Sequence, residues 1–322
     1  MTERFQILSL DGGGIKGLFS AAVLAAIEAD LNVNIAEHFD LIVGTSTGGI
    51  IALGLGLGLR PRQIVDFYAN DGPHIFRNWF NRRNFSHWFY RKFSQQPLRA
   101  ALQRQGTFGE KIFGQSKKRL VIPSYNLGDD DVYLFKTPHH ERLTRDWKEP
   151  AWKVALATSA APTYFPSCRE IDHIRHIDGG VWANNPTMIG VVEAVSVLNI
   201  PLEQIHVLSL GTSDPMVRRA RFLDWGGKLV WANHAVGLVM RGQSLGAQKQ
   251  ALHLLGNDKI TRLDPKVPNG LFALDAPGKK QELMAKAAHE SRIAMPEIKK
   301  KFLDHVAPSY VPYHPRKTES KT

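Results

Sequence analysis

Residues 41–54 read "LIVGTSTGGIIALG", and the fold turns on what this stretch does. Leu41-Ile42-Val43 is a short apolar run suited to a buried strand, and Ile50 onward continues as an apolar helix. Between them Gly44-Thr45-Ser46-Thr47-Gly48 forms G-x-S-x-G in a strand-turn-helix context, where a strained elbow presents a serine hydroxyl outward. A side chain at Gly44 or Gly48 would collide with the neighbouring strand or helix. Ser46 is therefore the candidate nucleophile, flanked by Thr45 and Thr47.

Upstream, Leu8 to Ile27 reads "LSLDGGGIKGLFSAAVLAAI". Gly12, Gly14 and Gly17 satisfy G-x-G-x-x-G, the turn of a dinucleotide site. Such a site needs an acidic residue roughly 20 residues further on, at the end of the second strand. The serine elbow occupies that place, and Asp40 lies at the other end of the strand. A Walker A loop is excluded because Leu18 follows Gly17. The loop is better read as a source of backbone N–H groups from Gly12, Gly13 and Gly14 for an oxyanion developing beside Ser46, since glycine lets the backbone come that close. The helix that starts at Gly17 adds the positive end of its dipole.

A serine hydroxyl needs a base within hydrogen-bond reach. "RHIDGGVWANNP" (175–186) offers Asp178 at the end of a short strand, with Gly179 and Gly180 forming a tight turn. The alternative for Asp178 is an ordinary turn residue. His206, His234, His253, His289 and His305 follow, but His206 opens a strand and the others read as helical, so none is placed as a triad histidine.

Strand and helix signals alternate. Strands are expected at Phe5–Leu10, Leu41–Val43, Arg119–Tyr125, Val132–Lys136, His173–Ile177 and Gln204–Leu210. Helices are expected at Gly17–Ala29, Gly48–Leu59, Pro61–Asn70, Pro97–Gln105, Ala151–Ser159 and Pro186–Leu198, the last opened by a capping asparagine and a first-turn proline. This pattern predicts an α/β fold with a mostly parallel central sheet and helices on both faces. Beyond Thr212 the sequence turns helical and polar, through Leu229–Leu255 and Lys279–His289. The expected organisation is a hydrolase core over 5–212, a helical C-terminal extension of the same domain over 213–308, and a flexible tail over 309–322.

Of 322 residues, 41 are Lys or Arg and 30 Asp or Glu, a formal net charge of +11 that suits anionic company such as a membrane surface or nucleotides. No zinc-finger spacing, RNP pattern or basic heptad array is present, so neither DNA nor RNA is an expected partner. The longest apolar run, 49–59, is shorter than the roughly 20 residues of a spanning helix. The first residues lack the features of a signal peptide. Cys168 is the single cysteine, which rules out a disulfide within the chain and a Cys-based zinc cluster, and it reads as a packed thiol. The expected setting is cytoplasmic.

Four blocks, "DGGGIKG", "GTSTGG", "ATSAAPTYFP" and "DGGVWANNP", occur in that order between about Phe5 and Thr212. Together they resemble the patatin-like phospholipase family, whose members use a serine-aspartate dyad on a three-layer α/β sheet fold. The resemblance implies that Ser46 is the nucleophile and Asp178 its base. It also implies that Gly12, Gly13, Gly14, Lys16 and Gly17 fill the oxyanion motif, and that no metal or other cofactor is needed. Lys16 would then lie near a lipid phosphate, or else be a solvated first-turn lysine; Asp11 reads as shaping the loop. The implied activity is cleavage of acyl esters of membrane glycerophospholipids, at the inner face of the cell membrane. The compact chain further resembles bacterial phospholipase effectors of antiphage signalling, in which a cyclic di- or trinucleotide switches on membrane degradation. Arg218, Arg219 and Arg221 would suit such an anion, or form a solvated loop. Two rivals stand beside this reading: an ungated soluble esterase for small esters, and a catalytically silent nucleotide-binding module.

The stretch 74–93, "HIFRNWFNRRNFSHWFYRKF", interleaves aromatic and basic residues. Trp79, Phe80, Trp88 and Phe89 with Arg82 and Arg83 suit a membrane interface or a lid over an acyl groove. Core packing, or a contact between copies in a homo-oligomer, would use the same aromatics.

Overall fold

The computed structural model describes residues 4–76, 92–216, 224–225, 227–268 and 277–314. The centre is a sheet in the order β4-β3-β2-β1-β6-β8, with β5 paired to β3. These strands are β1 (Phe5–Leu10), β2 (Leu41–Gly44), β3 (Arg119–Asn126), β4 (Asp131–Lys136), β5 (His176–Asp178), β6 (Ile205–Leu210) and β8 (Ile260–Leu263); β7 (Asp214–Met216) and β9 (Lys266–Pro268) pair separately. The pairs β1–β2, β1–β6, β2–β3 and β6–β8 are parallel, while β4 and β5 run antiparallel to β3.

Alternation along β1 divides the core in two. Phe5 and Ile7 join Leu41, Val43, Val121, Ile205 and Val207 on one face, covered by α7 (Thr187–Ser196) and α8 (Lys228–Leu255) through Val191, Ala194, Ala251 and Leu255. Leu8, Leu10, Ile42, Leu208 and Leu210 face the larger core. That core is built by α1 (Gly17–Leu31), α2 (Thr47–Gly56), α3 (Pro61–Ile75), α4 (Gln96–Gln103), α5 (Ala151–Thr158) and α9 (Lys280–Phe302). Three layers result, and every residue of β1 and β2 is buried, as parallel strands covered on both faces require.

The sequence placed the core elements to within a few residues, with four instructive differences. The expected strand at His173–Ile177 starts only at His176, because Asp172 (φ 46°) and His173 (φ 59°) form a turn. Helix α7 starts at Thr187, whose N–H donates to Asn185 Oδ1 at 3.0 Å, so the asparagine cap acts one residue later than expected. Helices α3 and α9 run on through Pro73 and Pro296, past the ends expected at Asn70 and His289. The C-terminal part is not purely helical, since β8 adds a parallel strand beside β6. Its short Ile-Thr-Arg-Leu run, with a charge in the middle, carries little apolar signal.

The C-terminal part is bound closely to the first strand. Phe302, at the end of α9, is fully buried with its ring centroid 6.1 Å from that of Phe39. The buried Gln6 side chain donates to the carbonyls of His38 (2.6 Å) and Phe302 (2.9 Å). His305 lies beyond α9, not within a helix, and shares a 2.9 Å hydrogen bond with Asp40. Within the expected flexible tail two contacts are made, the side chains of Val311 and Tyr313 staying exposed: Tyr310 is buried, and the Tyr313 N–H donates to the Pro138 carbonyl at 2.8 Å. Cys168 is buried, and burial pushes its thiol up to about 11, consistent with a packing role.

Phe302→Ala should cost about 3–5 kcal/mol through the cavity left beside α1 and Phe39. A urea titration of the variant is expected to show a lowered midpoint with an unchanged slope.

Candidate active site

The elbow forms as the sequence predicts. Ser46 sits between β2 and α2 at φ 55° and ψ −120°, outside the usual regions for a residue with a side chain. The turn is held from both sides. The Thr45 N–H donates to the Leu10 carbonyl at 3.1 Å, and the Thr45 hydroxyl to the Ala183 carbonyl at 2.6 Å. A Cβ at Gly44 would overlap the Gly48 carbonyl, and one at Gly48 the Leu10 carbonyl, so backbone packing leaves no room for a side chain at either.

The Ser46 hydroxyl donates to Asp178 Oδ2 at 2.6 Å, across 132 positions of sequence. The other carboxylate oxygen accepts from the Gly180 N–H at 2.6 Å, at the start of the short helix α6 (Gly180–Ala183). Asp178 is only 5% exposed. Burial lifts its carboxyl to about 6, with the bonds from Ser46 and Gly180 pulling the other way. It is still ionised at neutral pH, and it is a stronger base than an exposed aspartate. No histidine among the described residues bonds to either member of the pair.

The block "ATSAAP" frames both residues, a role its composition does not disclose. The Thr158 hydroxyl accepts from the Ser46 N–H at 3.0 Å and donates to the Pro123 carbonyl at 2.6 Å. The Thr158 carbonyl accepts from Gly179 N–H, and the Ala160 carbonyl from Asp178 N–H. One short segment thus fixes nucleophile and carboxylate relative to each other. From the opposite face α8 holds the loop after the carboxylate: Gln243 accepts from the Asn184 N–H at 3.2 Å, and the Ser244 hydroxyl from the Asn184 amide at 3.3 Å.

The glycine loop lies against the serine, a Cβ at Gly12 coming within 3.3 Å of Ser46 Cβ. The five residues of the expected oxyanion motif are not equivalent there. The Gly12 N–H is committed to the Asn184 carbonyl at 3.0 Å and the Lys16 N–H to the Gly13 carbonyl at 3.2 Å, while the Gly17 N–H closes the first turn onto Gly14 and Ile15. Among the described residues nothing accepts from the Gly13 or Gly14 N–H. These two are the amides with hydrogen-bonding capacity to offer, and the shared role expected of Gly12 is corrected accordingly. Gly14 adopts φ 59°, a left-handed conformation that favours glycine. Lys16 is not solvated: it is 8% exposed, its ammonium reaches the Ser213 carbonyl at 3.3 Å, and burial lowers its pKa against the pull of Asp264 and Asp11.

Comparison with known proteins identifies the family. The patatin-like phospholipase family model matches residues 8–191, a span that contains the elbow, the glycine loop and Asp178. This chain belongs to the patatin-like phospholipase family. Membership makes it a lipid ester hydrolase. The chain is similar to proteins named cGAMP-activated phospholipase from three bacteria. The Pseudomonas aeruginosa protein is 34% identical over 82% of this chain and 80% of its own length. The Escherichia coli protein is 35% identical over 65% of this chain and 62% of its own. The Vibrio cholerae protein is 35% identical over 66% and 65%. This chain thus spans just under two thirds of the last two relatives.

Other patatin-like site candidates resolve unevenly. Phe76 and Phe93, at the ends of the aromatic-basic stretch, pack together at 5.6 Å and against Phe165, and so serve the core. Trp79, Phe80, Arg82, Arg83, Trp88 and Phe89 lie outside the described residues, as do Arg218, Arg219 and Arg221. Among the described residues no group of three or more His, Cys, Asp or Glu side chains is placed to hold a metal.

The raised pKa of Asp178 also states a stability cost. Its folded-state value of about 6 exceeds the ordinary 3.8, so stability is lost as pH rises from about 4 to 6 and the loss persists above that. Asp178→Asn, whose oxygen still accepts from Gly180 while its NH2 donates to Ser46 Oγ in a reversed bond, removes the charge and should be more stable than wild type by roughly 1–3 kcal/mol at pH 7. The gain should vanish below about pH 4, as chemical denaturation at the two pH values would measure.

Proposed function

We propose that this protein is a phospholipase that cleaves acyl esters of membrane glycerophospholipids with Ser46 as nucleophile and Asp178 as its base, and that a cyclic nucleotide switches it on as an antiphage effector. The observation that carries the catalytic part is the 2.6 Å bond from the Ser46 hydroxyl to a buried carboxylate. The gating part rests on the similarity to proteins named cGAMP-activated phospholipase. The reading places its action at the lipid surface; no helix among the described residues is long and apolar enough to cross a membrane.

In this mechanism Asp178 Oδ2 takes the Ser46 proton as Oγ attacks the acyl carbonyl. The carbonyl oxygen becomes negative within reach of the Gly13 and Gly14 amides, whose bonding capacity is unspent in the resting site. Asp178 returns the proton to the departing alcohol, leaving an acyl-serine. A water molecule then gives its proton to Asp178 and attacks the acyl group, which frees the fatty acid and restores Ser46. The carboxylate needs no histidine because burial has raised its basicity toward the working pH.

Fatty-acid release from anionic vesicles, with and without cGAMP or a panel of other cyclic di- and trinucleotides, tests the whole reading. Wild type should release fatty acid only with one of the nucleotides, and Ser46→Ala with none, a loss of at least about a thousandfold. Release without any nucleotide would overturn the gating. A preference for dispersed short esters over vesicles would favour the ungated esterase, and failure of a fluorophosphonate to label Ser46 would favour a silent nucleotide-binding module.

The base must be ionised to act. For the activated enzyme kcat/KM should therefore be level above pH about 6 and fall about tenfold per pH unit below it. A profile flat down to pH 4.5 would remove Asp178 as the base.

A further inference from the structure

We propose that Arg262 is a positioning residue for the Ser46 reaction: from strand β8 it grips Asp11 and thereby sets the glycine loop that presents the Gly13 and Gly14 amides. The proposal rests on the serine-aspartate reading above and adds a residue beyond the 8–191 span that matches the family model.

The geometry is specific. Arg262 Nη1 donates to Asp11 Oδ1 at 2.8 Å and to the Ser209 hydroxyl at 2.7 Å. Its Nη2 donates to Asp11 Oδ2 at 2.6 Å and to Asp264 Oδ2 at 2.7 Å. Both oxygens of Asp11 are therefore held by one planar fork, which fixes the orientation of the carboxylate as well as its distance. Asp11 is 4% exposed and immediately precedes Gly12. Gly12, Gly13 and Gly14 have no side chains with which to hold themselves, so the loop takes its position from its neighbours. Gly12 is bonded to Asn184 and Thr212, Asp11 anchors the start of the loop, and at its far end the buried Lys16 side chain reaches a single carbonyl.

Arg262 is itself braced. Ser209, its register partner on β6, accepts from it and continues a buried relay of hydroxyls through Thr187 (3.0 Å) to Ser9 on β1 (2.9 Å). Burial works against the charge on Arg262, but Asp11 and Asp264 together hold it protonated. Asp11 and Asp264 thus share a single guanidinium, which is largely shielded from solvent.

A purely structural ion pair would make the same contacts, so the test must separate folding from chemistry. Arg262→Lys keeps the charge and loses the fork; Arg262→Met strands the carboxylates of Asp11 and Asp264 and is expected to reduce folded yield. Asp11→Asn combined with Arg262→Met leaves only the partly exposed Asp264 without its partner and should recover most of the yield. Each is assayed with cGAMP present on a soluble short-chain ester, with rates expressed per mole of Ser46 titrated by a fluorophosphonate and melting curves measured alongside. Arg262→Lys should fold and lose about 10- to 100-fold in kcat with KM within about threefold, and the double variant should fold and remain as slow. Wild-type kcat per titrated serine in folded Arg262→Lys, or losses that only follow the unfolded fraction, would overturn the proposal. A wild type that neither hydrolyses ester nor takes up the probe would remove the serine-aspartate reading, and the positioning role with it.

Discussion

An aspartate in water is a weak base, and the site depends on keeping one dry. Asp178 is sealed at the end of β5 with both oxygens engaged, and that seal turns a carboxylate into a partner for a serine hydroxyl. The dryness comes from the fold. β5 is tied to β3, α5 supplies Thr158 and the Ala160 carbonyl follows it, while α8 closes the loop beyond Asp178. The strained backbone of Ser46 persists because the packed crossing of Leu10, Gly44 and Gly48 leaves it no alternative. A stability cost at the carboxylate and a conformational cost at the serine are both offset by the large core on either face of the sheet.

The same arrangement orders the roles within the glycine loop. Three consecutive glycines look alike in sequence, yet the surroundings assign them separately. Gly12 is bound to the loop that follows Asp178, so the segment after the carboxylate and the glycine loop are joined by a backbone hydrogen bond. Gly13 and Gly14 keep their amides unspent, which is the condition for stabilising charge that appears only during reaction.

The elbow was legible because its signal is local: a buried strand, two obligatory glycines and a helix lie within fourteen residues of sequence. Asp178 was legible by its short strand and double glycine. Partners supplied by distant elements were not. Thr158, Asn184, Gln243 and Arg262 are polar residues of ordinary appearance whose meaning lies in what the topology brings beside them. Strand β8 was missed for a related reason, since four residues with an arginine at the third carry no clear period. The glycine loop could be located from the sequence, but which of its amides are free depends on Asn184, 172 positions away from Gly12, and no pattern along the chain encodes that pairing.

The ties between the two ends of the chain bear on how the protein is made. Gln6, in the first strand, finds one of its two carbonyl acceptors at Phe302, and β6 gains its outer neighbour only with Ile260–Leu263. A ribosome delivers these partners last. Until Phe302 and Ile260–Leu263 are in place, the Gln6 amide lacks one of its two acceptors and β6 has an open edge. The sheet and the clasp on β1 are therefore complete only when segments more than 250 positions apart have met.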